Sequence, residues 1–146
     1  MRYQVTMAAL VIGAGALALG SGCGQSKISE CNALIEVINK GVQSLEKGQK
    51  AGSDPSGVND LKAMADAMDK VAADAAAVKL TIPELQASST EYQAMAKEVA
   101  KAARDMAAAA EAKDADKINT AQASMEKAVK QEDPLVDKIN KFCQAP

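Results

Sequence analysis

Histidine and tryptophan are absent from this chain of 146 residues, and aromatic residues make up only 2% of it. Without imidazole there is no histidine general base, no histidine-ligated zinc and no haem held through a histidine axial ligand. The aromatic side chains are Tyr3, Tyr92 and Phe142. A core must therefore be aliphatic and alanine-rich, and no row of stacking platforms exists for unpaired bases. A strong charge of one sign is also missing. Arg2 is the only charged residue among the first 22, which leaves 16 bases against 19 acids, well mixed, in the remainder. A phosphate backbone demands a basic stripe, so nucleic acid is excluded as a partner. Serines and threonines occur, but none lies in a glycine elbow or near an activating base in the sequence. The chain is expected to be no enzyme and to carry no cofactor.

What is present is helical periodicity, and no segment alternates with the period of two that a half-buried strand requires. Ile28, Cys31, Ile35, Ile38, Val42 and Leu45 fall 3, 4, 3, 4 and 3 apart, one seam of a first helix over about residues 27–50. It ends at AGSDPSG (51–57), where Asp54 followed by Pro55 reads as a helix N-cap with proline at the first helical position. A second helix carries Leu61, Met64, Met68, Val71, Ala75 and Val78 on its apolar face. KLTIP (79–83) follows, and Thr81 with Glu84 has the spacing of a capping box. The third helix uses Leu85, Tyr92, Met95, Val99, Ala102, Met106 and Ala109. AEAKDADK (110–117) is the next turn, with Asp114 or Asp116 as N-cap of a fourth helix that turns Ile118, Ala121, Met125, Ala128 and Val129 inward. Pro134 removes a backbone donor there, so the last helix must kink or restart, with Asp133 as the capping residue and Leu135, Val136, Ile139 and Phe142 resuming the stripe. Short turns between four such helices predict an all-α, up-down-up-down antiparallel four-helix bundle.

Other side-chain groups invite chemistry but have simpler readings. Met64 and Met68 lie four apart on one helix face, yet they and Met95, Met106 and Met125 all fall on the seam, where thioethers fill alanine-lined gaps. No metal site is expected from them. Asp60, Asp66, Asp69 and Asp74 are interleaved with Lys62 and Lys70, the pattern of a solvated face. Glu111, Asp114 and Asp116 lack the glycine and spacing of a calcium loop, and helix capping explains them. The alanine runs at 72–77 and 107–110 admit two arrangements: a close interface between the second and third helices, or, with larger layers holding those helices apart, a narrow apolar cavity.

The first thirty residues are of a different kind. Residues 7–20, MAALVIGAGALALG, are wholly apolar or glycine, too short to span a hydrocarbon core of ~30 Å but the length of a signal-peptide apolar region. Gly20, Ser21, Gly22 and Cys23 follow. In these residues the chain resembles a bacterial lipoprotein precursor, a family marked by a small residue directly before the cysteine that becomes the lipidated first residue. Gly22 and Cys23 match the last two positions of that motif and Ser21 suits the one before, whereas Gly20 stands where the family prefers leucine. The resemblance implies a signal peptide over residues 1–22, a lipidated tether over 23–27 and a bundle domain over 28–146. It further implies thioether-linked diacylglycerol on Cys23, usually with a third acyl chain, and, with Gly24 next, sorting to the periplasmic face of the outer membrane. Plain secretion or a soluble periplasmic protein is the alternative.

Three cysteines leave one unpaired in an oxidising compartment, and lipidation of Cys23 would leave an even pair. In the expected bundle, Cys31 near the start of the first helix and Cys143 in the last turn of the fourth come to the same end, within bridging reach. A Cys31–Cys143 disulfide is the expectation, against two buried thiols acting as small hydrophobes. The functional expectation is a membrane-anchored, non-enzymatic helical lipoprotein of the bacterial envelope that acts through a protein partner or as a structural element. A four-helix bundle that binds or senses a small apolar ligand is the alternative.

Overall fold

A computed structural model of the protein describes residues 23–51 and 56–145, with side chains over 26–43 and 56–145. All regular elements among them are helices: α1 (Cys23–Ala51), α2 (Val58–Ala77), α3 (Pro83–Glu111), α4 (Ala115–Val129) and α5 (Glu132–Gln144). The helical backbone of α1 thus begins at Cys23, before the position at which the apolar pattern starts.

The break near Pro134 is a restart. A proline inside a continuous helix has no N–H to give and clashes with the preceding turn. Here the helix stops at Val129, and Pro134 falls in the first turn of α5, where its N–H is not needed. Gln131, not Asp133, is the N-cap residue of α5. Its side-chain amide reaches across to Glu98 Oε2 of α3 at 3.1 Å.

Other helix ends depart from the local signals too. Asp54 and Pro55 lie outside the described residues, and α2 begins later, behind Gly57 with φ 68°. That left-handed backbone favours glycine. Val58 N–H donates to Ser56 Oγ at 3.3 Å. At the far end of α3 the turn follows the Schellman pattern. Asp114 N–H donates to Ala109 O at 3.0 Å and Lys113 N–H to Ala110 O at 3.1 Å, with Lys113 at φ 55° in the left-handed region. Asp114 then caps α4 by accepting from Lys117 N–H at 3.1 Å. The Lys117 ammonium, and after it the Lys117 N–H, hold the Asp114 carboxyl below its usual range.

The core is one cluster contributed by every helix except the outer part of α4. Leu34, Leu85, Tyr92, Met95 and Ile139 are its largest enclosed members, and Ala65, Ala96, Ala100 and Ala103 are completely covered. Tyr92 is the largest, and burial, aided by the negative charge of Glu132, pushes its hydroxyl up to about 12. The most extensive helix contact is between α2 and α3, with Ala65, Ala72 and Ala75 of the former and Ala96, Ala100 and Ala103 of the latter all buried in that cluster. Cross-helix bonds fix which residues meet. Lys62 pairs with Glu111, Arg104 with Asp66 and Asp69, and Ser89 Oγ donates to Ala75 O. Lys138 of α5 pairs with Glu91 of α3.

The expected seam of the first helix is rotated. Cys31, Leu34 and Ile38 are buried together with Gly41, whereas Ile28 is 61% and Val42 39% exposed. Gly41 belongs to the buried line because it faces Val71 of α2 so closely that a side chain there would collide with it. Val129, expected inward, is 47% exposed, since α4 ends at that residue and its packing on α3 is made by Ala121 and Ala128. Leu45 lies outside the described side chains.

Candidate functional site: the disulfide-closed pole

Three segments distant in sequence converge at one end of the molecule. The first is the opening of α1. Cys31 Sγ bonds Cys143 Sγ, with the Cα atoms 5.8 Å apart and a sequence separation of 112. Cys31 is 3% exposed and belongs to the core, against which Cys143 packs from α5. The expected pairing is therefore present. Cys23 opens α1, but its side chain lies outside the described ones, so its lipidation remains an expectation.

One turn before the bridge, Lys27 closes the same junction from the polar side. Its Nζ donates to Ala145 O at 2.6 Å and stands 4.8 Å from the centre of the Phe142 ring. A helix leaves its last carbonyls without intrahelical donors and carries partial negative charge there, so a cation at the end of α5 satisfies both.

The third segment is the connection between α2 and α3, and Glu30 holds it. Glu30 Oε1 accepts from Thr81 Oγ1 at 2.6 Å, while Oε2 accepts from Thr81 N–H at 2.8 Å and from Ile82 N–H at 3.2 Å. Ser26 Oγ donates to Oε1 at 3.3 Å. Thr81 is thus taken up by another helix and does not cap α3 with Glu84; Ile82 is the N-cap and makes no side-chain cap bond. Pro83, at the start of α3, has no N–H to satisfy. The bond from the Thr81 hydroxyl, supported by both backbone donors, outweighs burial and keeps the Glu30 carboxyl below its ordinary value. Glu30 is not singled out by the sequence analysis, whose seam for the first helix runs through Ile28, Cys31 and Ile35. Its spacing from Leu34 and Gly41 places it on the buried stripe, and a carboxylate on such a stripe needs a partner.

The remaining sequence candidates are structural in position. Met68 and Met95 are in the core, and Met64 and Met125 pack against it. The acidic face of α2 is more than solvated: Arg104 of α3 spans Asp66 at 2.8 Å and Asp69 at 2.7 Å, and Lys70 takes Asp74 at 2.6 Å. Among the described residues no group of three or more carboxylates and thiols is placed to hold a metal ion. No described helix is long and apolar enough to cross a membrane. A surface cleft of about 510 Å³ lies beside Glu30 between α1 and α2, with Val37 and Val78 in its floor and Glu36, Lys40, Asp74 and Lys79 at its rim. Those charges are mixed in sign and make no focused field for one ligand. No protein-family model, curated protein or solved structure matches this chain.

Proposed function

We propose that the protein is a lipid-anchored, non-enzymatic bundle of the bacterial cell envelope, attached through Cys23 and acting through a protein partner or as a spacer that holds a rigid body away from the bilayer. The observation that carries this reading is the disulfide between the beginning of α1 and the end of α5. Such a bond belongs to an oxidising compartment, and the apolar segment at residues 7–20, followed by Gly22 and Cys23, is what an exported and lipidated chain requires. Up-down-up-down helix order is part of the reading. It is supported between α2 and α3 by the pairs 62 with 111 and 75 with 89, and between α3 and α5 by 91 with 138 and 98 with 131, in each of which one number rises as its partner falls. On this arrangement residues 56–57, ahead of α2, and the turn at 110–117 lie at the pole far from the bilayer, where a periplasmic partner would meet them, and residues 79–83 lie on the membrane side.

Mass spectrometry of the intact chain extracted from bacterial membranes tests the anchor. The expected mass is that of a chain starting at Cys23 with a diacylglyceryl group and an added acyl chain, gaining two hydrogens on reduction. Two or more acyl chains hold a protein stably at a bilayer, at ~0.8 kcal/mol per buried methylene. A chain that starts at Cys23 without added acyl mass, or that retains residues 1–22, overturns the reading.

A further inference from the structure

The pole described above leaves apolar side chains wholly or partly open beside the residues that close it. Ile28 is the most exposed large hydrophobic residue among those described, at 61%. Leu80 and Ile82 are only partly covered, on the loop that Glu30 ties to α1. The same segments carry Lys79, next to Leu80, and Lys141, in the last turn of α5, both exposed and without an ion pair among the described residues, whereas the Lys27 ammonium is held on Ala145 O and Phe142. Glu84 is the exposed acid in this region, while Glu30 is buried and fully engaged. The apolar stretch at 7–20 ends three residues before Cys23, and Cys23 is five residues, about one and a half turns, before Ile28. Whatever membrane attachment the N-terminal part supplies is delivered to this pole.

We infer that the pole that carries Ile28, Leu80 and Ile82, together with Lys79 and Lys141, is itself a bilayer-contacting surface, which seats on anionic lipid headgroups and stands the bundle upright on the membrane. The inference rests on the anchor reading above and adds orientation to it. Apolar side chains enter the boundary between headgroups and acyl chains to a depth of ~5–10 Å, and lysines at the rim find the negative surface potential within a screening length of ~10 Å. The ordering of the loop at 79–83 by Glu30 fixes Leu80 and Ile82 relative to Ile28, so the surface is preformed. The rest of the exposed stripe on α1, at Val42, stands about 21 Å further along the helix, beyond that depth.

The chain has no tryptophan, so a single tryptophan reports its own surroundings. Full-length chains carrying Ile28→Trp or Val42→Trp, both at exposed positions, are purified from membranes and reconstituted into vesicles of phosphatidylglycerol and brominated phosphatidylcholine. The tryptophan at 28 is expected to lose about half its emission and to shift to the blue, and that at 42 to keep nearly all of it, given the ~5–10 Å reach of an interfacial side chain. Lys79→Glu with Lys141→Glu in the Ile28→Trp chain should restore most of the lost emission. Equal quenching at both positions means that α1 lies flat on the bilayer and overturns the inference. So does no quenching at either, as when a second copy of the chain covers the stripe, or quenching at 28 that ignores the charge reversal. Acyl mass is read on the same samples. If it is missing, the anchor reading alone fails, and mixing the unacylated chain with the vesicles decides the pole by the same criteria.

Discussion

Gly41 sets how near α1 stands to α2. A Cβ at this position would lie 2.6 Å from Val71 Cγ2 and 3.0 Å from Cγ1, and Val71 is buried and β-branched, with little rotamer freedom to yield. Alanine in a helix is favoured over glycine by about 1 kcal/mol, but overpacking of a filled site costs about 1–3 kcal/mol. Gly41→Ala is therefore expected to lower the urea midpoint, by a net ~1 kcal/mol in stability, and adding Val71→Ala should recover part of the loss in a double-mutant cycle. A Gly41→Ala chain more stable than the parent would show that the helices do not approach this closely. Lys113 is the opposite case. It holds the left-handed position of a Schellman turn that glycine ordinarily fills, with φ 55°. An L-residue in that conformation costs about 1–2 kcal/mol, so Lys113→Gly is expected to raise stability by ~0.5–1 kcal/mol. Thermal unfolding followed by circular dichroism reads this directly, and an unchanged or lower midpoint would count against the turn geometry.

At the scale of elements, the α2–α3 connection is governed by a carboxylate from a third helix. The Glu30 pKa is lowered in the folded chain from the ordinary 4.5. A group whose folded pKa is depressed contributes stability that is present above the unfolded value and lost as pH falls through the folded one. Replacing it with an isosteric amide should cost stability at about pH 7, and the gap between parent and Glu30→Gln should shrink as pH falls below 4.5, where the unfolded carboxylate takes up its proton first. The difference between the two chains is the informative quantity, because burial raises the Glu132 pKa and its contribution runs the other way, being lost as pH rises from 4.5. Hydrogen exchange at Thr81 and Ile82 should speed up in the variant. A gap that stays constant from neutral to acid pH would mean that the ionised carboxylate does not hold this loop. The same loop shows what a sequence conceals. The helices themselves were legible because a 3.6-residue period needs only local information, and a break at Pro134 was legible because a missing donor is a local fact, although the choice between kink and restart was not. The capping box at Thr81 and Glu84 was equally local, and it lost to a carboxylate 51 residues away that offers acceptors to two backbone donors and a hydroxyl at once. The phase of α1 was obscured for a related reason. Leu34 and Gly41 continue the buried line as well as Ile35 and Val42 do by spacing, and only the neighbouring helix decides between them.

For the whole molecule, the controlling feature is a bond that joins residues 112 apart. Its partners were recoverable from the sequence because helix lengths and short turns fix where chain ends come to rest. The Glu30 and Lys27 contacts around it were not, since they depend on how the helices are rotated. The chain-entropy account values closure of such a loop at ~5 kcal/mol, nearly all of it exerted on the unfolded chain. That account makes a prediction that a simple native contact does not. Replacing Cys31 and Cys143 together by alanine should lower stability by about 2–5 kcal/mol while leaving the helical circular dichroism of the folded state nearly intact. Because the uncrosslinked denatured chain expands, the slope of free energy against urea should also rise, as more surface is exposed on unfolding. A lower midpoint with an unchanged slope would locate the effect in the native state instead, and the bridge would then rank with the Lys27 and Phe142 contact beside it as one more piece of packing between α1 and α5.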